Sequence, residues 1–228
     1  MISIIEQKRN AAVAAVEYVE NKMTVGLGTG STAEFALRLL AKKVANGLRI
    51  TGVPSSIATA RLARRLRIPL IADEGAFKKI DLTLDGADEV DPQLNLIKGG
   101  GGALTREKIV ATRSERVIIM VDQGKLVKQL GKFPVPVEVL PFGWESTAEM
   151  LRSLGGRVTV RAKEGKTFRT DNGNMILDCA FRKIHQAKYL SQQIHQIPGV
   201  VEDGIFAGVV DLVIVVKRDG CINEHWAI

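Results

Sequence analysis

Histidine, cysteine and aromatic residues are all scarce in this chain of 228 residues, and each shortage removes a class of function. The two cysteines, Cys179 and Cys221, have no neighbouring cysteine and no metal-spaced histidine, which argues against a structural zinc site. Isolated cysteines also suit a reducing compartment better than a disulfide scaffold. The three histidines, His185, His195 and His225, fall late and apart. The first two lie on or beside a helical pattern and read as surface or packing residues. A metal hydrolase and a Ser-His-Asp enzyme are therefore disfavoured. Aromatics make up only 5% of the chain, so the core must be built from Val, Ile, Leu and Ala. Apolar runs are short of the roughly 20 residues that a membrane-spanning helix needs. Glu6, Lys8 and Arg9 interrupt any signal-peptide core. The expectation is a cytoplasmic protein without a membrane partner.

The remaining composition is that of a globular protein, long enough for one large domain or two modest ones. Lys and Arg number 32 against 25 Asp and Glu, a net charge of +7. Much of that excess is local: residues 151–190 hold nine basic and three acidic residues, a surplus of six. A basic surface attracts nucleic acid or a phosphorylated metabolite, or is merely a solvated face. Arg61, Arg64, Arg65 and Arg67 have helical spacing and read as one wet helix face.

The patterning points to two modules. Ser3 and Glu6 have capping-box spacing, and Val13, Val16 and Val19 recur every three residues, predicting a helix from about Ser3 to Glu20. A short strand at Thr24–Leu27 runs through a glycine turn into a helical pattern over Ala33–Leu40, the opening of an α/β unit. Strands are expected at 49–53, 69–71 and 80–84. The continuous apolar run Arg116–Val121 suits a parallel strand covered on both faces. Near Gly131 the character changes. Residues 133–137 contain Pro134 and Pro136 and are expected to form a crossover linker instead of a central strand. Beyond it the order is strand 137–139, helix 144–154, strand 157–161, turn 171–174, strand 175–179, helix 186–196 and strand 200–206. That is the split βαββαβ order. A last apolar run, Val209–Val216, returns to the first sheet. The expected fold is α/β: a Rossmann-like open-sheet domain (1–131 plus 207–228) and a smaller ferredoxin-like α+β lid domain (132–206).

Four segments can carry chemistry. Gly28-Thr29-Gly30-Ser31-Thr32 lets a ligand approach the backbone and offers hydroxyls beside a helix N-terminus, as a phosphate requires. It fits neither the dinucleotide fingerprint nor the Walker loop, and a plain turn with a serine cap remains open. Asp85-Gly86-Ala87-Asp88-Glu89-Val90-Asp91 follows a strand, where α/β sheets bind ligands. Its four acids need a cation or hydroxyls among them, unless they form a solvated turn. Lys98-Gly99-Gly100-Gly101-Gly102 is costly in conformational entropy, as expected where backbone lies against a ligand or bends sharply. Thr105 can cap the next helix, placing Glu107 in its first turn. In Asp122-Gln123-Gly124-Lys125, Lys125 either reaches a phosphate or is a surface lysine.

Taken together, the residues resemble the type A ribose-5-phosphate isomerase family. The resemblance rests on Gly28–Ala33, Asp85–Glu89, Lys98–Gly101, Ala103–Lys108, Gly131–Glu138, Thr170–Asn174 and Ile197–Val201, in one order from about Lys8 to the final strand. It implies interconversion of D-ribose 5-phosphate and D-ribulose 5-phosphate in the non-oxidative pentose phosphate pathway, with no metal and no organic cofactor. It also implies a homodimer or homotetramer. Glu107 resembles the catalytic base, and Lys98, Asp85 and Asp88 the polar groups around the sugar. Thr29, Gly30, Ser31, Thr32, Gly86, Ala87, Gly99, Gly100, Gly101, Lys125 and Lys8 match positions that meet substrate or its phosphate.

The chemistry of these residue types agrees. Aldose–ketose isomerisation moves a proton between C2 and C1, and one carboxylate can shuttle it through a cis-enediol. A fixed cation such as Lys98 offsets charge on the carbonyl oxygen. Two competing expectations remain. One is a sibling sugar-phosphate isomerase or deaminase, though a deaminase would want a histidine near its site. The other is a sugar-phosphate sensor or nucleic-acid regulator motivated by the charge, for which no helix-turn-helix is evident.

Overall fold

The computed structural model describes residues 1–73, 75, 77 and 79–227 of the chain. Residue 228, the last of the expected first domain, lies outside the described residues. In chain order the elements are α1 (Ile4–Val16), β1 (Thr24–Leu27), α2 (Ser31–Ala45), β2 (Thr51–Pro54), α3 (Ile57–Arg65) and β3 (Leu82–Asp85). Next come β4 (Glu89–Val90), β5 (Leu96–Ile97), α4 (Leu104–Thr112), β6 (Val117–Asp122), a short 3₁₀ turn (Gln123–Lys125) and β7 (Val135–Val139). Then follow α5 (Trp144–Ser153), β8 (Arg157–Val160), β9 (Ala162–Lys163), β10 (Lys166–Thr167) and β11 (Met175–Ala180). The chain closes with α6 (Ala187–His195), β12 (Val200–Asp203), β13 (Ile205–Phe206), β14 (Leu212–Val216) and β15 (Ile222–Trp226). The described residues group into two compact units. One takes the described residues within 1–87, 106–125 and 209–227; the other takes 88–105 and 126–208.

The first unit is built on a six-stranded sheet of order β15-β14-β6-β3-β1-β2. Its pairs are parallel apart from β14 with β15. The capping box forms as the sequence suggests: Ser3 accepts from the Glu6 amide, and the Glu6 carboxylate accepts from the Ser3 amide. Ala11, Ala12, Ala15 and Val16 form the buried stripe of α1. They pack with Val25, Leu27, Leu82, Leu84, Ile118 and Met120 of the sheet. The helix ends at Val16, short of Glu20, because the chain must reverse into β1; Lys22 sits at φ +72° in that turn. All six residues of β6 are buried, as its apolar run requires. The run after 209 does return, with β14 pairing in parallel with β6. The edge strand β15 is unanticipated because its residues alternate too little to signal a strand.

The second unit contains a four-stranded antiparallel sheet of order β12-β7-β11-β8, the ferredoxin-like arrangement. Val135, Val137 and Val139 pack with Leu151 of α5, Leu177 and Cys179 of β11 and Ile194 of α6. The linker expected over 133–137 is corrected here: Val135–Val139 is a strand, flanked by β11 and β12. Pro136 is tolerated near its start because pairing with β12 begins only at Val137. The Pro136 carbonyl still accepts from the Gly204 amide at 2.7 Å. The single strand expected over 200–206 is two strands. β12 stays in this sheet, whereas β13 joins β5 and β4 in a separate three-stranded sheet. That pairing, with the Lys98 amide donating to Gly204, ties the stretch 88–105 to the second unit.

Candidate active site

The candidate residues fall into two sets, one in each unit. In the first unit the parallel strands all end at one edge, the edge where open α/β sheets bind ligands. Thr29–Thr32 follow β1, Asp85 closes β3, and Lys125 stands in the turn after β6. Asp85 is buried, and its Oδ1 accepts from the amides of Gly86 (2.7 Å) and Thr29 (3.2 Å). The turn after β1 is thereby latched to the end of β3. Thr32 is buried in the first turn of α2, whereas Gly30 and Ser31 are exposed. Gly30 is the N-cap residue, so the serine cap considered for this turn is not made. Ser31 instead accepts from Lys8 Nζ at 3.0 Å, which brings α1 to the turn. One residue earlier, buried Gln7 accepts from the Gln123 amide at 3.4 Å, holding the turn that carries Lys125. Gly86 and Ala87 are half-buried just past Asp85.

Glu107 lies in the first turn of α4 and is 4% exposed. The same helix packs Val110 against Val53 and Ile80. Glu107 precedes Val110 by three residues and so shares its helix face. Along β3, Leu82 and Leu84 join the core beneath α1 and α2, so Thr83 and Asp85 alternate to the opposite face. Glu107 and Asp85 are thus directed by two different periodicities toward the face of the sheet that α4 covers.

In the second unit Lys98 follows β5 and is 4% exposed, with its Nζ 5.5 Å from the centroid of the Phe206 ring. That is the geometry of a cation–π contact. The glycine loop begins with Gly99 at φ +97°, a conformation side chains avoid, and a Cβ there would meet Leu104 and Pro136. The Gly100 amide donates to Asp88 Oδ2 at 2.8 Å, and a Cβ on Gly100 would fall 2.8 Å from Asp88 Oδ1. Gly100 and Gly101 are exposed, and Asp88 is half-buried. Thr105 does not cap α4 but lies within it. Its hydroxyl donates to Glu138, which is fully buried. Glu138 also accepts from Thr170 (2.8 Å), Asn172 (3.1 Å) and Asn174 (2.8 Å). A buried carboxyl group needs such partners, because burial has taken its water away.

Several residues of these surroundings carry no short-range signal. The Thr29 hydroxyl meets Ser55 and Ser56 at 2.9 Å and Thr59 at 3.1 Å, all from the turn and helix after β2. Arg161, read only as part of a basic stretch, donates to the carbonyls of Gly99 (2.6 Å) and Gly100 (3.2 Å). His195, expected at the surface or in packing, lies 2.8 Å from Glu202 and 3.1 Å from Asp203, away from the candidate residues in the sequence. Among the described residues no helix is long and apolar enough to cross a membrane.

A Rossmann-like parallel sheet joined to a ferredoxin-like antiparallel one, with hydroxyls, carboxylates and a lysine-led glycine loop, defines an α/β protein of a recognisable class. Its solved neighbours include a D-ribose-5-phosphate isomerase in complex with phospho-erythronic acid, with a TM-score of 0.94 and 41% identity, covering 99% of this chain and 100% of that one. Another is the ribose 5-phosphate isomerase A of Methanocaldococcus jannaschii, with a TM-score of 0.92 and 40% identity, covering 98% and 100%. The ribose-5-phosphate isomerase A of Sphingopyxis alaskensis is 49% identical over 225 residues, 99% of this chain and 98% of the relative. That of Gloeobacter violaceus is 54% identical over 217 residues, 93% of each. Residues 51–220 match the family described as ribose 5-phosphate isomerase A (phosphoriboisomerase A). The chain belongs to the ribose 5-phosphate isomerase A family.

Proposed function

We propose that this chain interconverts D-ribose 5-phosphate and D-ribulose 5-phosphate, with Glu107 moving the proton between C2 and C1. The reading is supported by the burial of Glu107 in the first turn of α4 and by the latch of Asp85 to the hydroxyl turn, in a chain of this family. In the open-chain sugar, Glu107 takes the C2 proton from the aldose as the C1 carbonyl oxygen gains a proton, leaving a cis-enediol. The same carboxyl returns the carbon-bound proton to C1 as the O2 hydroxyl gives up its proton and C2 becomes the carbonyl, so one group serves as base and then as acid. Lys98 offsets the charge that builds on the carbonyl oxygen. Asp85 and Asp88 accept hydrogen bonds from sugar hydroxyls, and one of them assists ring opening. Gly86, Ala87 and Gly99–Gly101 offer backbone at close approach. Thr29, Gly30, Ser31 and Thr32, with Lys8 and Lys125, grip the phosphate, whose binding energy holds the reacting carbons in place. The reaction needs no change in oxidation state of the substrate as a whole: one proton moves from C2 to C1 and one from O2 to O1, so the proposed scheme calls for no metal and no organic cofactor. The working form is a homodimer or homotetramer; for its compartment the reading is the cytoplasm, which two cysteines standing as free thiols suit.

The test is conversion of ribose 5-phosphate to ketopentose in EDTA, with Glu107→Gln alongside. Wild-type turnover is expected to be unaffected by EDTA. Glu107→Gln should lose at least about a hundredfold in kcat while still binding the sugar phosphate. Near wild-type kcat in that variant would remove Glu107 from the mechanism. A loss in EDTA restored by a divalent cation would remove the metal-free scheme. Tight binding without conversion would point to a sensor or a sibling enzyme.

A further inference from the structure

Arg161 leaves the end of β8 and makes two kinds of contact. Its Nε and Nη2 form a fork on the Asp178 carboxylate of β11, with Nε at 3.0 Å from Oδ2. Its Nη1 donates to Gly99 O at 2.6 Å and to Gly100 O at 3.2 Å. The guanidinium side chain is 13% exposed and its carboxylate partner 22%, so both are shielded from solvent. The Gly99–Gly100 peptide is therefore held at both ends. Its carbonyl faces a guanidinium, and its N–H, pointing the opposite way across a trans peptide, donates to Asp88 Oδ2 at 2.8 Å. Asp178, Arg161, one peptide group and Asp88 form a continuous chain of hydrogen bonds within the second unit.

We propose that Arg161 is a positioning residue for the isomerisation, acting through the Gly99–Gly100 peptide to orient the Asp88 carboxylate. This inference rests on the function proposed above, with Asp88 among the groups that meet the sugar. A cation on the carbonyl oxygen polarises the amide and strengthens its N–H as a donor, because linked hydrogen bonds reinforce one another. Asp88 Oδ2 is then committed to the loop, which leaves Oδ1 to accept from a substrate hydroxyl in one defined direction. Asp178 fixes the rotamer of Arg161 through the fork. Lysine can reach one carbonyl but cannot serve the fork as well. The basic character of residues 151–190 thus includes one cation with a structural assignment.

Two measurements test this on the whole 228-residue chain. The first is the kinetics of Arg161→Met, Arg161→Lys and Asp88→Ala, and of Arg161→Met combined with Asp88→Ala. Arg161→Met should lower kcat about ten- to a hundredfold, with KM changed less than about threefold. Arg161→Lys should recover part of the loss. Once Asp88 is alanine, Arg161→Met should cost less than about twofold more, because the chain it acts through is gone. Wild-type kcat in Arg161→Met, or losses that multiply in the double variant, would overturn the proposal. The second is the Gly100 amide proton in glycine-labelled protein, followed by NMR. It should move upfield in both Arg161→Met and Asp88→Ala, and an unmoved resonance in Arg161→Met would also overturn the proposal. The amide readout does not depend on turnover, so failure of this inference is distinguishable from failure of the isomerase assignment.

Discussion

Cys179 and Cys221 share a side chain and little else. Cys179 lies in β11 within the core of the second unit, whereas Cys221 is exposed in the turn before β15. Burial pushes the Cys179 thiol up to about 12, with a smaller contribution from the Asp178 charge beside it. The thiolate is the reactive form, so the two should differ sharply toward a disulfide reagent such as Ellman's. One thiol per chain is expected to react at pH 8 in the native protein, and the second only in denaturant. Two fast native thiols would contradict the placement of Cys179. An unfolded cysteine loses its proton near pH 8.5, well below the folded value. This group therefore contributes stability that is complete below about pH 8.5 and falls away as pH rises toward 12. The residue scale is also where legibility in the sequence was most uneven. Glu107, Lys98, Asp85 and Asp88 stand in motifs of recognisable composition. Ser55, Ser56, Thr59 and Arg161 do not, because what places them beside Thr29 or Gly99 is contact between residues 26 to 62 positions apart.

At the scale of elements, α1 shows how a local rule specifies a boundary. Ser3 and Glu6 satisfy each other's amides at its start, and no basic residue stands in its last turn. Ser3→Ala should cost about 1 kcal/mol. Thermal unfolding should then show a midpoint lowered by roughly 2–4 °C. An unchanged midpoint would mean that packing of the alanine stripe alone specifies this helix. Helices with caps and strands with continuous apolar runs were foreseeable in this way. The two-residue strands β4, β5 and β13 were not, because two residues carry no period, and their pairing partners are distant in the chain. Strand β7 was hidden for another reason. Proline argues against a central strand, and only the late start of pairing with β12 shows why Pro136 is tolerated.

At the scale of the molecule the net charge of +7 bears on encounter with an anionic sugar phosphate. Positive potential raises the on-rate of such a substrate and is screened by salt. The value of kcat/KM is expected to fall about two- to tenfold between 0.05 and 0.5 M monovalent salt, while kcat changes little. A flat salt profile would mean that the basic surface plays no part in capture. The same charge permits nucleic-acid binding, and the family to which the chain belongs supplies the more economical account of it. The α/β class, the parallel core strands, a βαββαβ order within the second unit and the motifs that carry the candidate residues can be read from the residue order alone. Each of these is written in short-range periodicity, caps or glycine turns, which depend on neighbours a few residues away. The pairing of β5 with β13, the latch of Asp85 on the turn after β1 and the hold of Arg161 on the glycine loop come into view in the folded chain. Those contacts join residues distant in sequence, and strand pairing and burial select them only once the chain has folded.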